Sequence, residues 1–123
     1  MKRALIIEDT EDNWILISAL LQRGGYETTV ATNGRSGYEM AIKDIPDLII
    51  LDIQLPDING DEVIKLIRAD ERAVNIPVIA MTSYAMSGDR ENLLAAGCNG
   101  YIEKPIDPVN VLDRIERILE GII

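Results

Sequence analysis

Five short runs along the chain are continuously apolar or alternate apolar with polar positions: ALIIE (4–8), YETTVAT (26–32), LIILD (48–52), VIAMT (78–82) and GYIEK (100–104). Amphipathic stretches long enough for helices separate them. Strand followed by helix, repeated, predicts right-handed crossovers and a parallel sheet covered on both faces. Positions 4–7, 48–51 and 78–81 are apolar throughout, as strands buried on both faces are, whereas 26–32 and 100–104 carry polar residues suited to sheet edges. Two edges around three central strands match the doubly wound order 2-1-3-4-5. That order opens its ligand crevice at the carboxyl ends of the first and third strands.

Punctuation places the helices. The first is expected from Asp12 to Arg23, closed by Gly24 and Gly25; the third from about Asp61, after a turn built from Pro56 to Gly60; the fifth from Pro108, a good first-turn residue. In the first helix, Trp14, Ile15, Leu16, Ile17, Ala19, Leu20 and Leu21 wrap nearly all round, although a helix covering one sheet face needs only a stripe. Assigning Leu16, Leu20 and Leu21 to the core leaves Trp14 and Ile15 as surplus apolar surface. Two readings stand for them, a patch packed on a neighbouring loop or a partner-docking site.

The chain of 123 residues suits one domain, 1–123, with a core of its own. A formal net charge of −9 argues against direct nucleic-acid binding, which needs clustered Lys and Arg. No apolar run approaches the roughly 20 residues of a membrane span. The start MKRALIIEDT has basic residues before an apolar run, but Glu8 and Asp9 end it too early for a signal peptide, so a cytoplasmic location is expected. Cys98, the single cysteine, reads as a small buried hydrophobe whose sequence neighbours Gly97, Asn99 and Gly100 include no base to activate it. The complete lack of His excludes Ser-His or Cys-His catalysis and any phosphohistidine on this chain. Chemistry here must use carboxylates, hydroxyls and amines.

The strand order gathers Glu8, Asp9 and Asp52 at one crevice. With like charges about 4.5 Å apart and an effective dielectric of ~20, each pair costs on the order of 3–4 kcal/mol. Such a cluster needs protonation, a cation or a basic neighbour. With so few protein oxygens, Mg²⁺ suits better than Ca²⁺. The fourth and fifth predicted strands end beside the same crevice in Thr82 and in Lys104 followed by Pro105. Hydroxyl, ammonium and metal together can hold three oxygens of a phosphoryl group, and Asp52 then becomes the nucleophile.

Glu8-Asp9, Asp52, Thr82 and Lys104-Pro105, each at a strand's carboxyl end, make the whole chain resemble the receiver domain of two-component response regulators, in its stand-alone form without an output domain. The resemblance implies a flavodoxin-like fold of five parallel strands and five helices. It implies that Asp52 takes a phosphoryl group from a phosphohistidine on a histidine kinase or a histidine phosphotransfer protein. Asp9, Asp52 and the backbone carbonyl of Gln54 would bind Mg²⁺, with Mn²⁺ as an alternative, and Glu8 would assist through water. Lys104 would pair with the phosphoryl group, and Thr82 would move to hydrogen-bond it. Tyr101 would turn inward as the switch aromatic, unless it is simply an edge-strand residue packed on a helix. The Lys104-Pro105 bond is expected to be cis. The fourth helix, fifth strand and fifth helix would form the output surface for a downstream protein. Glu8 stands where Asp is common, and Tyr84, with Gln54, occupies a position that tunes dephosphorylation.

Two other readings compete. A phosphatase of the haloacid-dehalogenase type also uses Asp, Thr, Lys and an acid pair around Mg²⁺, but it needs a second Asp two residues past the nucleophile, and Gln54 stands there. A degenerate receiver acting only as a binding module would typically lack an acid-pair residue or the lysine, and all are present. The expected protein is thus a phosphoacceptor that promotes its own labelling and slow dephosphorylation, without turnover of an external substrate.

Overall fold

The apolar runs 48–52 and 78–82 form strands buried at every residue, side by side in the middle of the sheet. The computed structural model describes residues 2–83 and 87–121, with 87–90 in backbone only. Along the chain the elements are β1 (Lys2–Ile7), α1 (Glu11–Arg23), β2 (Tyr26–Ala31), α2 (Gly34–Asp44), β3 (Leu48–Asp52), α3 (Gly60–Ala69), β4 (Val78–Thr82), α4 (Ser87–Ala96), β5 (Gly100–Glu103) and α5 (Val111–Leu119). The order across the sheet is β2-β1-β3-β4-β5, with every pairing parallel. The polar runs are the edges, and the doubly wound reading holds.

Alternation along the strands divides the core. Leu5, Ile7, Ile49, Leu51, Val78 and Ala80 point to one face, where Ala41 of α2, Val63, Ile64 and Ile67 of α3 and Leu93 of α4 cover them. Ala4, Ile6, Leu48, Ile50, Ile79 and Met81 point to the other, covered by Ile17, Leu20 and Leu21 of α1 and Val111, Ile115 and Ile118 of α5. Each large aliphatic side chain so buried stabilises the fold by about 1.5–3 kcal/mol.

Two expectations change. In α1 the inward stripe is Ile17, Leu20 and Leu21, while Leu16 stays exposed at 37%. Ile17 lies three and four residues before Leu20 and Leu21 and so shares their face of the helix, Glu11–Arg23. The fifth helix begins at Val111 rather than Pro108. The Asp107 carboxylate accepts bonds from the backbone N–H of Val109 (3.0 Å) and from Nδ2 of Asn110 (2.7 Å), so 107–110 close as a capped turn before the helix.

Helix α2 is gripped at both ends by distant residues. At its carboxyl end Ile45 adopts φ +45°, unusual for a β-branched residue, and the Arg3 guanidinium donates to the carbonyls of Asp44 (2.6 Å) and Ile45 (3.1 Å). At its amino end the Asp57 carboxylate accepts the N–H groups of Gly34 (2.8 Å) and Arg35 (2.9 Å). A cation at the carboxyl end and an anion at the amino end both complement the helix dipole.

Candidate functional site

Backbone hydrogen bonds between neighbouring strands fix where each chemically interesting residue leaves the sheet. Glu8, just past β1, donates its N–H to the carbonyl of Ala31 (3.0 Å). Ile53, just past Asp52, donates to Met81 (3.2 Å), and Lys104, just past β5, donates to Thr82 (2.9 Å). These ties place Glu8, Asp9, Asp52, Thr82 and Lys104 at the carboxyl edge of the sheet, where continued pairing aims their side chains.

Ligand oxygens of Glu8, Asp9 and Asp52 lie within 4.8 Å of one another. Glu8 is fully buried and Asp52 is 3% exposed, while Asp9 opens to solvent. The ammonium of Lys104 reaches both buried acids, 3.1 Å from Asp52 Oδ1 and 3.4 Å from Glu8 Oε1. One cation does not balance three acids. Burial raises the Glu8 carboxyl well above the usual carboxylate range, and a hydrogen bond and charge from Asp52 add to it; Lys104 and Asn13 pull the other way. The Glu8 Oε2 atom is buried without a hydrogen-bond partner among the described residues. A buried orphan oxygen beside two more carboxylates fits a small, hard divalent cation of the Mg²⁺ type.

Around this cluster the structure places the other candidates unevenly. Thr82 is buried at the end of β4, on the sheet face that carries Val78 and Ala80. Tyr101 is half-buried on β5, paired with Ala80 and packed against the same face. Gln54 is exposed, and its N–H donates to Asp52 Oδ1 (3.1 Å). The Lys104–Pro105 peptide bond is cis. Trp14 is partly buried against the core beneath α1 and α5, with Ile15 beside it 48% exposed. Tyr84 lies outside the described residues.

Three relationships escape sequence reading. Asn13, in the first turn of α1, lies close enough to Glu8 to draw its carboxyl back down against the effect of burial. Arg114 of α5 lies over the Tyr101 ring, 5.9 Å from its centroid, and donates to the Tyr101 carbonyl (3.3 Å). Arg68 stands close enough to Cys98 to act on it, correcting the expectation of a thiol with no basic neighbour; burial still raises that thiol above its ordinary value. Each depends on how a helix packs against a strand end or a loop, which the residues alone do not declare.

Residues 4–116 match the model of the response regulator receiver domain. The chain belongs to that family. DivK, the polar-differentiation response regulator of Brucella anthropi, is 42% identical over 118 residues, covering 96% of both chains, and the Brucella ovis protein is equally similar. The chemotaxis regulator CheY4 of Vibrio cholerae superposes with a TM-score of 0.91 at 28% identity, over 96% of this receiver and 98% of that chain. The receiver domain of the sensor histidine kinase PA1611 from Pseudomonas aeruginosa PAO1, solved with magnesium coordinated in its active-site cleft, superposes at 0.87 with 34% identity, over 97% and 98%. Receiver domains are phosphoacceptors with an acidic Mg²⁺ pocket and are not turnover enzymes on external substrates. No helix among the described residues is long and apolar enough to cross a membrane.

Proposed function

We propose that this receiver is a phosphorylation-dependent switch in which Asp52 takes a phosphoryl group from a phosphohistidine on a histidine kinase or phosphotransfer protein. The phosphorus–nitrogen bond of the donor breaks as a phosphorus–oxygen bond to Asp52 forms, and the imidazole leaves. One observation carries the reading: a buried aspartate at a strand end faces a lysine ammonium at 3.1 Å amid an excess of acid. Glu8, Asp9, Asp52 and the Gln54 backbone carbonyl would hold Mg²⁺, or Mn²⁺ in its place. When bound, the ion offsets charge on the phosphoryl oxygens. Lys104 would stabilise the same charge, and the exposure of Asp9 leaves the site open to solvent.

After transfer, Thr82 hydrogen-bonds the phosphoryl group and Tyr101 turns toward the space it vacates. The surface of α4, β5 and α5 then changes its affinity for a downstream protein. Trp14 and Ile15, at the start of α1 on the side of the sheet opposite Thr82, dock the phosphohistidine-bearing helices. Tyr84 and Gln54 set the lifetime of the phosphoryl group by limiting the approach of water. The receiver works in the cytoplasm, by protein contacts rather than by binding nucleic acid or membrane.

Exposure to acetyl phosphate and Mg²⁺ followed by intact-mass measurement tests this. One added phosphoryl group that is absent in Asp52→Asn is the expected result. Labelling that persists in Asp52→Asn, or sustained release of inorganic phosphate without a labelled protein, overturns it.

A further inference from the structure

The loop that follows Asp52 is held in a way the assigned roles do not explain. At its base, Gly60 donates its N–H to the carbonyl of Ile53 (2.9 Å), and a Cβ on Gly60 would lie 2.6 Å from the Ile53 Cα. At its crown, the Asp57 carboxylate takes one N–H from each of the first two residues of α2, in a charge-assisted fork of 2.8 and 2.9 Å. Beside that fork Ile58 packs so closely on Gly34 that a Cβ there would meet its Cγ1 at 2.5 Å. Residues 54–59 are therefore stretched between a clasp and an anchor. Gln54, whose N–H is already committed to Asp52, sits between the two. Helix α2 does not need Asp57 for its own start, because Asn33 caps it by accepting the N–H of Ser36 (2.9 Å).

We infer that Asp57 is a positioning residue: by pinning the loop crown to the amino end of α2 it fixes the Gln54 backbone carbonyl toward the cation pocket formed by Glu8, Asp9 and Asp52. The inference rests on the function proposed above and adds to it a residue that touches neither cation nor phosphoryl group. Its side chain acts through the peptide planes between 54 and 57. Without the anchor, Gln54 samples other orientations and the pocket loses a prepaid ligand direction.

Magnesium titration by calorimetry on wild type, Asp57→Ala, Asp57→Asn and Asn33→Ala separates this role from plain helix capping. Asp57→Ala is expected to weaken Mg²⁺ binding about tenfold, in line with other residues that orient a metal ligand. Asp57→Asn, which keeps one acceptor oxygen, falls between, and it replaces Asp57→Ala if that variant does not fold. Asn33→Ala weakens the same helix end but leaves Mg²⁺ affinity within about twofold, the scatter expected of a surface cap change. Acetyl phosphate labelling of Asp57→Ala is slow at low Mg²⁺ and recovers at saturating Mg²⁺, because the chemical groups are intact. Unchanged Mg²⁺ affinity in both Asp57 variants, or an equal loss in Asn33→Ala, overturns the inference. Failure of wild type to bind Mg²⁺ or to be labelled overturns the underlying function instead, and is distinguishable because it appears without any substitution.

Discussion

Two cations are drawn into this protein at opposite ends of the sheet, and they are compensated in opposite ways. Lys104, at the carboxyl end, faces two buried carboxylates at 3.1 and 3.4 Å with a third acid close by. Arg68, at the amino end, donates to the carbonyls of Gly97 (2.8 Å), Ile76 (2.7 Å) and Val74 (3.0 Å) and to Oδ1 of Asn99 (2.9 Å), which also accepts the N–H of Val78. Burial lowers the Arg68 pKa, yet a guanidinium keeps its charge. Four of its five N–H donors are spent on fixed neutral dipoles from two loops, and the result is a clamp. Lys104 is outnumbered by acids, and the leftover negative charge is what a cation and a phosphoryl group can answer. A buried charge marks a reactive site when its surroundings leave an imbalance, not because it is buried.

Substitutions can break that contrast. Lys104→Ala is expected to slow acetyl phosphate labelling by about 100-fold, the usual cost of removing one preorganised charge partner, while far-ultraviolet circular dichroism stays that of a folded protein. Arg68→Ala should do the reverse. It leaves several carbonyls without donors and lowers unfolding free energy by about 2–4 kcal/mol in urea titrations, with labelling of the folded protein within about twofold of wild type. Arg68→Lys keeps the charge but loses the fork, and a loss of about 1–2 kcal/mol is expected; a value near zero would mean that charge rather than geometry matters there.

The smallest effect concerns Asp57, the acidic counterpart of Arg68. N–H groups of Arg35 and Gly34 hold its carboxyl at about 2, below the ordinary 3.8. The ionised form therefore favours the folded state, a contribution in place above about pH 4 and lost as pH falls through about 2. The stability gap between wild type and Asp57→Asn should narrow over that window in acid-unfolding curves. A gap independent of pH would assign the difference to packing.

The same contrast explains what could be read from the sequence. The strands at 48–52 and 78–82 were legible because full burial demands uninterrupted apolar residues, and the acid pair, Asp52, Thr82 and Lys104 were legible because strand ends and doubly wound topology bring them to one edge. Arg68 was not, because a cation in the last turn of a helix reads as a solvated residue until the loops at 74–76 and 97–99 are seen to fold over it. Asp57 was read only as part of a turn, since its partners lie 23 and 22 residues away. The inward stripe of α1 was misassigned by one position, Leu16 for Ile17, because a helix apolar on nearly every side does not declare which side faces the sheet. Pro108 suits the first turn of a helix and an ordinary turn equally well, and only the Asp107 bonds decide between them.

The grip on α2 also has a kinetic meaning. Arg3 reaches its carbonyls across more than 40 residues of chain and Asp57 reaches its amides across more than 20, so neither grip exists until those distant segments have met. Interactions that close so late are absent from an early folding nucleus. Loosening either end of α2 should then leave the refolding limb of a chevron nearly where it was and raise the unfolding limb, making this helix a brake on unfolding rather than a seed for folding.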